Sequence, residues 1–121
     1  MIEATNEFCF LYSTYPDLDT AKNAARLAVD KKLAACVNIY PKMTSIYMWE
    51  GNREEAGEFA AFFKTRRTLV DEAMAALWEI HAYSIPCFVV LPIEAGSSDY
   101  LAWARAQTET ARDGSNPPPP A

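Results

Sequence analysis

One histidine and three cysteines are the side chains of this sequence best suited to bind a transition metal. His81 is the only histidine, which excludes a zinc site built on two histidines of one chain. Cys9, Cys36 and Cys87 form no Cys-x-x-Cys pair, and their odd number excludes a full set of internal disulfides. Copper and zinc favour imidazole and thiolate ligands. The alternative is structural, because a strand cysteine is commonly a small buried hydrophobe and a histidine at a helix end commonly caps or packs.

A basic side chain close to aromatic residues indicates a second kind of site. Lys64 ends an apolar segment and precedes Thr65, and a lysine with a buried stem can hold an anionic ligand as a point charge. Tyr47, Trp49 and Tyr83 are candidates for the walls of such a ligand cleft. Two alternatives stay open, because Lys64 could equally be a solvated strand end and Tyr47 could belong to a subunit interface.

Motifs for catalysis are absent from the sequence. It contains no Ser-His-acid order, no phosphate-binding glycine loop and no recognisable pair of catalytic carboxylates. A nucleophile pair of Cys36 and His81 would require the fold to bring the two side chains within hydrogen-bond reach. We therefore expect a binding protein and not an enzyme.

Composition and charge narrow the class of protein. The 121 residues are 50% hydrophobic and 22% charged, which is typical of one globular domain. A formal net charge of −5 argues against nucleic acid as a partner, because phosphate neutralisation needs a Lys/Arg surface. The longest apolar run, residues 87–93, is too short to cross a bilayer, and no signal peptide is recognisable. Together with unpaired cysteines, these features predict a cytoplasmic protein without a membrane partner.

Hydrophobic periodicity predicts strands that alternate with helices. Strands are expected at residues 8–14, 34–40, 44–50, 58–65 and 87–93. Pro41 and Lys42 are expected to form the turn between the second and third strands. Hairpins interrupted by two crossover helices describe an α+β, ferredoxin-like sandwich with an antiparallel sheet and both crossover helices on one face. Residues 1–111 are thus one domain, and residues 112–121 are a disordered Pro-rich tail.

Three helices are expected between and after these strands. Asp17 or Asp19 should cap the first helix, and Lys31 and Lys32 should close its last turn. The first helix should turn four alanines inward: Ala21, Ala24, Ala25 and Ala28. The second helix is indicated by the periodic run Leu69, Ala73, Ala76, Leu77 and Ile80. Ser98 or Asp99 should cap a short third helix that turns Tyr100, Leu101 and Ala104 inward.

Apolar residues on both faces of two strands indicate that the sheet is covered on both sides. In the third strand Ile46 and Met48 lie on one face, and Tyr47 and Trp49 on the other. A sheet with one solvated face should alternate apolar and polar residues instead. The final helix is too short to cover the whole second face, so we expect other subunits to bury it.

Motifs in one consistent order resemble the CutA family of divalent-cation tolerance proteins. They are Leu33-Ala34-Ala35-Cys36-Val37-Asn38-Ile39, Ser45-Ile46-Tyr47-x-Trp49-Glu50-Gly51, Lys64-Thr65, His81-x-Tyr83-x-x-Pro86 and Tyr100-Leu101-x-Trp103. The resemblance implies a ferredoxin-like subunit, a tight homotrimer of PII-like architecture, and tolerance to copper and other divalent ions. Ala82 and Ser84 depart from the family pattern, which has proline and then Glu or Gln at these places.

The resemblance also implies a set of metal ligands. The family's ligands near the histidine and in the Ala-Ala-Cys strand correspond to His81 and Cys36. The family's Glu ahead of the Lys-Thr pair corresponds to Glu58. We expect weak binding of a divalent metal, copper ahead of zinc, without an obligatory cofactor. Binding should be weak because one chain supplies few ligands and Ser84 replaces the usual donor.

A second hypothesis follows from the PII-like architecture that the resemblance implies. The protein would then be a signalling or adaptor trimer that binds a small anionic ligand in its inter-subunit clefts. Lys64 would anchor the ligand charge, with Trp49 and Tyr83 as cleft walls.

Overall fold

The computed structural model describes residues 1–109, which form six strands and three α-helices. The strands are β1 (Ile2–Ala4), β2 (Phe8–Tyr15), β3 (Cys36–Trp49), β4 (Asn52–Arg66), β5 (Phe88–Pro92) and β6 (Ala95–Ser97). The helices are α1 (Leu18–Asp30), α2 (Val70–Glu79), which follows a 3₁₀ turn at Arg67–Leu69, and α3 (Ser98–Gln107). The predicted Pro-rich tail lies outside the described residues.

Four antiparallel strands form the main sheet, in the order β3-β4-β2-β5. α1 connects β2 to β3, α2 connects β4 to β5, and each connection passes over one intervening strand. This split βαβ arrangement confirms the predicted ferredoxin-like fold class. The sequence does not predict the small sheet of β1 and β6, because three-residue strands carry little periodic signal. Among residues 1–109 no helix has the length and apolar character needed to cross a membrane.

α1 and α2 cover one face of this sheet, and the hydrophobic core lies beneath them. Leu11 of β2 and Phe63 of β4 pair in register and are fully buried there. Small alanine side chains allow a helix to approach a sheet closely. The helices contribute Ala21, Ala24 and Ala28 from α1, and Ala73 and Leu77 from α2.

The start of α1 agrees with the sequence prediction, and its end differs by one residue. Asp17 accepts a hydrogen bond from the backbone N–H of Thr20 at 2.8 Å and caps the helix. The helix ends at Asp30, so Lys31 is the C-cap residue and does not lie in the last turn. Lys32 follows with a φ of 59°, which ends the helical path.

α3 begins without a side-chain cap, so the predicted role of Ser98 or Asp99 is wrong. The N-cap position belongs to Ser97, whose side chain makes no capping hydrogen bond. The backbone N–H of Ser98 donates instead to the carbonyl oxygen of Met1 at 2.8 Å. The pairing of β1 with β6 therefore satisfies one of the four backbone N–H groups that have no partner within the helix.

β3 and β4 form one long hairpin, whereas the sequence predicts that the residues of β3 form two separate strands. Pro41 and Lys42 lie in a bulge inside β3 and do not form a turn. β3 is an edge strand, and an edge tolerates proline because its missing N–H faces no neighbouring strand. The turn lies at Glu50 and Gly51, whose φ values of 50° and 83° suit a two-residue hairpin.

The opposite face of the sheet, called the open face below, is only partly covered. α3 covers one end, where Leu101 and Ala104 pack against Phe8 and Ala35. α3 is too short to cover more than this end, as the sequence predicts. The rest of the open face carries partly or largely exposed apolar side chains: Phe10, Tyr12, Tyr40, Phe62, Val89 and Leu91.

Candidate functional site

A cleft of about 720 Å³ lies on the open face, between the outer half of the β3–β4 hairpin and the loop of residues 80–87. It is called the hairpin cleft below. Because side chains alternate along a strand, the register of β2, β3 and β4 turns one set of residues toward it. The lining residues are Tyr12, Thr14, Ser45, Tyr47, Trp49, Glu58, Ala82, Tyr83, Ser84, Ile85 and Cys87.

Glu58 is the buried charged group of the hairpin cleft. Its side chain lies on β4 and is only 7% exposed. The hydroxyl of Tyr83 donates a hydrogen bond to Glu58 Oε2 at 2.8 Å. Burial, followed by this hydrogen bond and the charge of Glu58, raises the pKa of Tyr83, so the phenol stays protonated as a donor. This contact attaches the loop after α2 to the central sheet.

The electrostatic character of the hairpin cleft is negative. Burial and then the charge of Glu58 raise the pKa of the Cys87 thiol. The pKa of Tyr12 is raised by burial, then by Cys87 and Glu58. A raised thiol pKa makes Cys87 a poor nucleophile at neutral pH. None of the lining residues is basic, so the cleft suits a cation better than an anion.

His81 lies on the other side of its loop, toward the helix-covered face. Its ring stacks on Tyr15 with the centroids 4.5 Å apart. Its Nδ1 accepts a hydrogen bond from the backbone N–H of Tyr83 at 3.1 Å. Nε2 must then carry the proton of the neutral ring, and it donates to Ser13 Oγ at 3.1 Å. The arrangement holds the loop in place and leaves neither ring nitrogen with a vacant lone pair.

The surroundings of His81 favour its neutral form. Burial lowers the pKa of His81 from its ordinary value, while the backbone of Thr14 and the charge of Glu58 oppose this effect. A neutral imidazole is the form that binds metals, but here a metal would have to displace a hydrogen bond. His81 in this conformation is therefore better suited to anchor the loop than to bind a ligand.

Cys36 and Lys64 lie at the far end of the open face. The two residues pair across β3 and β4, and Lys64 follows Glu58 by six residues. At about 3.3 Å per residue, the separation along the strand is roughly 20 Å. Lys64 Nζ donates to Tyr100 Oη at 3.3 Å and lies over the rings of Tyr100 and Phe10. Lys64 is therefore held by α3 and does not line the hairpin cleft.

The structure thus unites only some of the residues proposed from the sequence. Trp49 and Tyr83 line one cleft together with Glu58. Cys36 is remote from Glu58 along the sheet, and His81 faces the opposite side of the loop. In the described part of the chain, no three His, Cys, Asp or Glu side chains lie together as metal ligands.

Sequence reasoning missed several members of the hairpin cleft. Tyr12 and Thr14 lie on the face of β2 that adjoins Glu58, and Cys87 follows the loop that carries Tyr83. Alternation along the first strand contained the signal for the β2 residues, because it separates Tyr12 from the buried Leu11. The signal for Cys87 was weaker, since its position depends on how the loop returns to β5.

Known proteins resemble this chain over nearly all of its described length. Residues 9–107 match the family described as CutA1 divalent ion tolerance protein. Protein CutA of Homo sapiens is 40% identical over 102 residues, which make up 84% of this chain and 57% of the human protein. The divalent-cation tolerance protein CutA of Archaeoglobus fulgidus is 43% identical over 94 residues, covering 78% of this chain and 91% of that protein. The chain thus spans little more than half the length of its human relative.

Solved structures share the fold as well. CutA from Synechococcus elongatus PCC7942 superposes with a TM-score of 0.87 at 30% identity, over 90% of this chain and 96% of that one. The periplasmic divalent cation tolerance protein CutA of Archaeoglobus fulgidus superposes with a TM-score of 0.82 at 39% identity, over 84% of this chain and 99% of that one. Sequence and fold therefore indicate the same family.

Proposed function

Since this chain belongs to the CutA1 divalent ion tolerance family, we propose that it works in the response to divalent metal ions as a homotrimer that binds copper or another divalent ion weakly. Its role is binding and not catalysis. The observation that carries the proposal is the apolar surface that one chain leaves uncovered on its long hairpin and open face.

Exposed apolar side chains on the hairpin support the homotrimer. Tyr40, Ile46 and Met48 are 64%, 62% and 65% exposed in the single chain. Burial of such surface stabilises an assembly by roughly 25 cal/mol per Å². Ile46 and Met48 lie on one face of the hairpin and Tyr40 on the other. Apolar surface exposed in this way is typical of an interface with another chain. Neighbouring subunits would cover it, with Tyr47 and Trp49 at the border between the interface and the hairpin cleft.

Light scattering tests the homotrimer directly. At micromolar concentration we expect a mass three times the 13.5 kDa of one chain. Replacing both Ile46 and Met48 by Ser should lower the mass, because it removes apolar surface without touching the core. Glu79→Ser, at the exposed end of α2, is the control and should leave the mass unchanged. A stable monomer of the unaltered protein would contradict the proposal.

Metal binding is expected to be weak because each chain offers few ligands in one place. The carboxylate of Glu58 shares one oxygen with the Tyr83 hydroxyl. A metal at His81 would have to displace Ser13 or the Tyr83 backbone from a ring nitrogen. Cys36 would have to come from another subunit, since it lies far along the sheet. Copper is favoured over zinc by the Irving–Williams order and by imidazole and thiolate ligands.

Calorimetric titration with copper tests these ligands. We expect His81→Ala and Glu58→Gln each to reduce the affinity, and Cys36→Ala to do so only if the site lies between subunits. Glu55→Gln is the matched control, because Glu55 is an exposed carboxylate on the same strand. Affinity should decline as the pH falls below about 6, where protons compete for the imidazole. Equal copper uptake by the unaltered protein and His81→Ala would exclude His81 as a ligand.

The hypothesis of an anionic ligand receives less support. Lys64 is hydrogen-bonded to Tyr100 and lies outside the hairpin cleft, whose walls carry a carboxylate and no basic group. A cytoplasmic location stays a proposal that rests on three unpaired cysteines. Fractionation of cells that express the tagged chain would test it, and recovery in a periplasmic or organellar fraction would contradict it.

A further inference from the structure

We propose that each subunit places Lys64 in the hairpin cleft of its neighbour, where the ammonium group pairs with the buried carboxylate of Glu58. The site is then a contact between two copies of this chain and is complete only in the assembly. This inference rests on the proposed homotrimer and adds the residue pair that joins its subunits. A divalent ion at Glu58 would have to displace the ammonium group, which agrees with weak metal binding.

Glu58 is a buried charge that has no compensating cation within its own chain. Its side chain is 7% exposed, and within residues 1–109 the Tyr83 hydroxyl is its hydrogen-bond donor. No lysine, arginine or histidine of that range forms an ion pair with it. A carboxylate removed from water is costly unless a cation or several donors compensate it. The lining of the cleft contains no basic residue, so a cation that pairs with Glu58 has to come from outside the chain.

Lys64 is the complementary case, a cation without a carboxylate. It forms no ion pair in the described part of the chain. Its Nζ donates to Tyr100 Oη at 3.3 Å, which is long for a charge-assisted hydrogen bond. The ammonium group also lies 5.2 Å from the ring centre of Tyr100 and 6.0 Å from that of Phe10. Because an ammonium group has three N–H donors, donors remain available to a carboxylate of another chain.

The two charges lie on one face of the sheet, at a distance that excludes contact within the chain. Glu58 and Lys64 are six residues apart on β4, and an even separation along a strand places both side chains on the open face. Six residues of strand span roughly 20 Å, about twice the Debye length at physiological salt. Neither charge therefore compensates the other in an isolated chain.

Rotational symmetry allows the two charges to meet between chains. In a cyclic homotrimer every subunit uses one patch toward one neighbour and a different patch toward the other. An acidic and a basic position on the same face meet this requirement, because Glu58 of one subunit can contact Lys64 of the next at all three interfaces. Partly exposed rings between the two positions, among them Tyr12 and Phe62, would exclude water from the pair once a neighbour covers them.

A double-mutant cycle on subunit association tests the pair, with EDTA present so that no metal ion compensates Glu58. Light scattering during dilution gives the dissociation constant of the trimer. We expect Glu58→Gln and Lys64→Gln each to raise it about tenfold or more, because each variant leaves one charge without its partner. The double variant leaves no unpaired charge, so its dissociation constant should rise by clearly less than the product of the two single effects.

The control cycle combines Glu55→Gln with Lys64→Gln. Glu55 is an exposed carboxylate on the same strand, so these two effects should simply multiply. Effects that multiply for Glu58 and Lys64 as well would overturn the proposal. An unchanged dissociation constant in folded Lys64→Gln would also overturn it, and this variant decides the matter if Glu58→Gln does not fold.

Exchange of the two charges identifies the contact as one between chains. Glu58→Lys and Lys64→Glu should each lower the mass at a fixed concentration, and the chain with both substitutions should recover it. Because the two positions are roughly 20 Å apart in one chain, recovery requires contact between chains. Tyr100→Phe removes the hydrogen bond of Lys64 within its own chain and should leave the mass unchanged. No recovery in a folded double variant would overturn the proposal.

These outcomes separate the residue pair from the homotrimer itself. A monomeric unaltered protein would contradict both. A trimer whose dissociation constant is unaffected by Lys64→Gln would retain the homotrimer and exclude the pair. Thermal unfolding verifies that each variant is folded, and the cycle of Gln variants decides the proposal if Glu58→Lys does not fold.

Discussion

The helix-covered face and the open face of the central sheet are made by the same strands, with neighbouring residues assigned to opposite sides. On the helix-covered face, Leu11 and Phe63 are fully buried beneath α1 and α2. On the open face, Tyr12 and Phe62 are their neighbours in sequence and remain partly exposed, in edge-to-face contact at a centroid distance of 5.1 Å. One chain therefore completes its core on one face and leaves the other face for binding.

The polar side chains of the two faces differ in their hydrogen-bond partners. The buried Thr65 hydroxyl on the helix-covered side donates to the carbonyl oxygen of Leu33 at 2.6 Å, and Ser13 contacts His81. Thr65 and Ser13 are thus satisfied within the chain, whereas the buried hydroxyl of Tyr15 on the same side has no hydrogen-bond partner. Glu58 on the open face has one donor for a charged group with two oxygens. Of the groups compared here, Glu58 is the charged one that has hydrogen-bonding capacity left for an external partner.

The largest effect is expected where the core is complete. Phe63→Ala removes a fully buried ring beneath α1 and α2 and should lower the free energy of unfolding by about 3–5 kcal/mol. Chemical denaturation at fixed protein concentration measures it. Phe62→Ala changes the neighbouring residue on the open face. In a chain kept monomeric by substitutions on the hairpin, it should lower the free energy of unfolding by less than Phe63→Ala does. Equal losses in that background would show that the open face is as well packed as the core.

The next effect concerns assembly through the open face. Trp49→Ala should weaken subunit association by about 2 kcal/mol or more, as is common for a buried interface Trp. Light scattering during dilution should then show a lower mass than for the unaltered protein. Trp78→Ala is the control on α2, because Trp78 is 49% exposed, close to the 44% of Trp49. An unchanged mass and melting temperature for Trp49→Ala would show that Trp49 is peripheral.

Much of the helix-covered face follows from the sequence, because its signals are local. The alanine spacing of α1 and the cap at Asp17 require only neighbours along the chain. Pro41 shows where this reasoning fails: proline favours a turn locally, but β3 lies at the sheet edge and tolerates it as a bulge. A residue's place in the sheet order is set by tertiary pairing, which no short window of sequence contains.

The candidate site was less predictable for the same reason. Trp49 and Tyr83 could be proposed together from residue type, but their distance from Lys64 depends on where β4 begins and how far it extends. The sequence predicts a strand at residues 58–65, whereas β4 starts at Asn52. The longer hairpin positions Glu58 midway along it and separates Glu58 from Cys36. Ligand sets assembled from sequence therefore combined residues that the sheet holds apart.

A smaller effect is expected from the pH dependence of His81, which joins the two faces through its loop. Burial lowers the pKa of His81 below its ordinary 6.5, so the unfolded chain binds a proton at a pH where the folded chain does not. The contribution of neutral His81 to the free energy of unfolding is therefore full above pH 6.5 and declines as the pH falls through 6.5. Below the lowered pKa the decline levels off. Thermal unfolding between pH 8 and 5 should show this decline. In His81→Gln it should be absent, and an identical decline there would assign it to other groups.

The smallest effect tests whether α3 belongs to the core or only covers one end of the open face. Arg105 of α3 contacts Glu7 with nitrogen–oxygen distances of 2.8–3.2 Å, and its guanidinium lies 5.5 Å from the ring centre of Phe8. Both side chains are about one-third exposed, and exposed ion pairs contribute roughly 0.2–1 kcal/mol. Arg105→Gln should therefore lower the free energy of unfolding by less than about 1 kcal/mol, and by less in high salt.

The pH dependence of that contact gives an independent check. The hydrogen bond from Arg105 lowers the pKa of Glu7 below its usual 4.5. The stabilisation is thus present above pH 4.5 and is lost as the pH falls through the lowered pKa, a range below that of His81. Arg26→Gln, on the exposed side of α1, is the control and should change neither quantity. If Arg105→Gln lowers the free energy of unfolding by more than about 2 kcal/mol, the loss exceeds the contribution of an exposed ion pair. Such a result would show that α3 belongs to the folded core. The open face would then be completed within the chain at that end, and only the hairpin and its cleft would be left for partners.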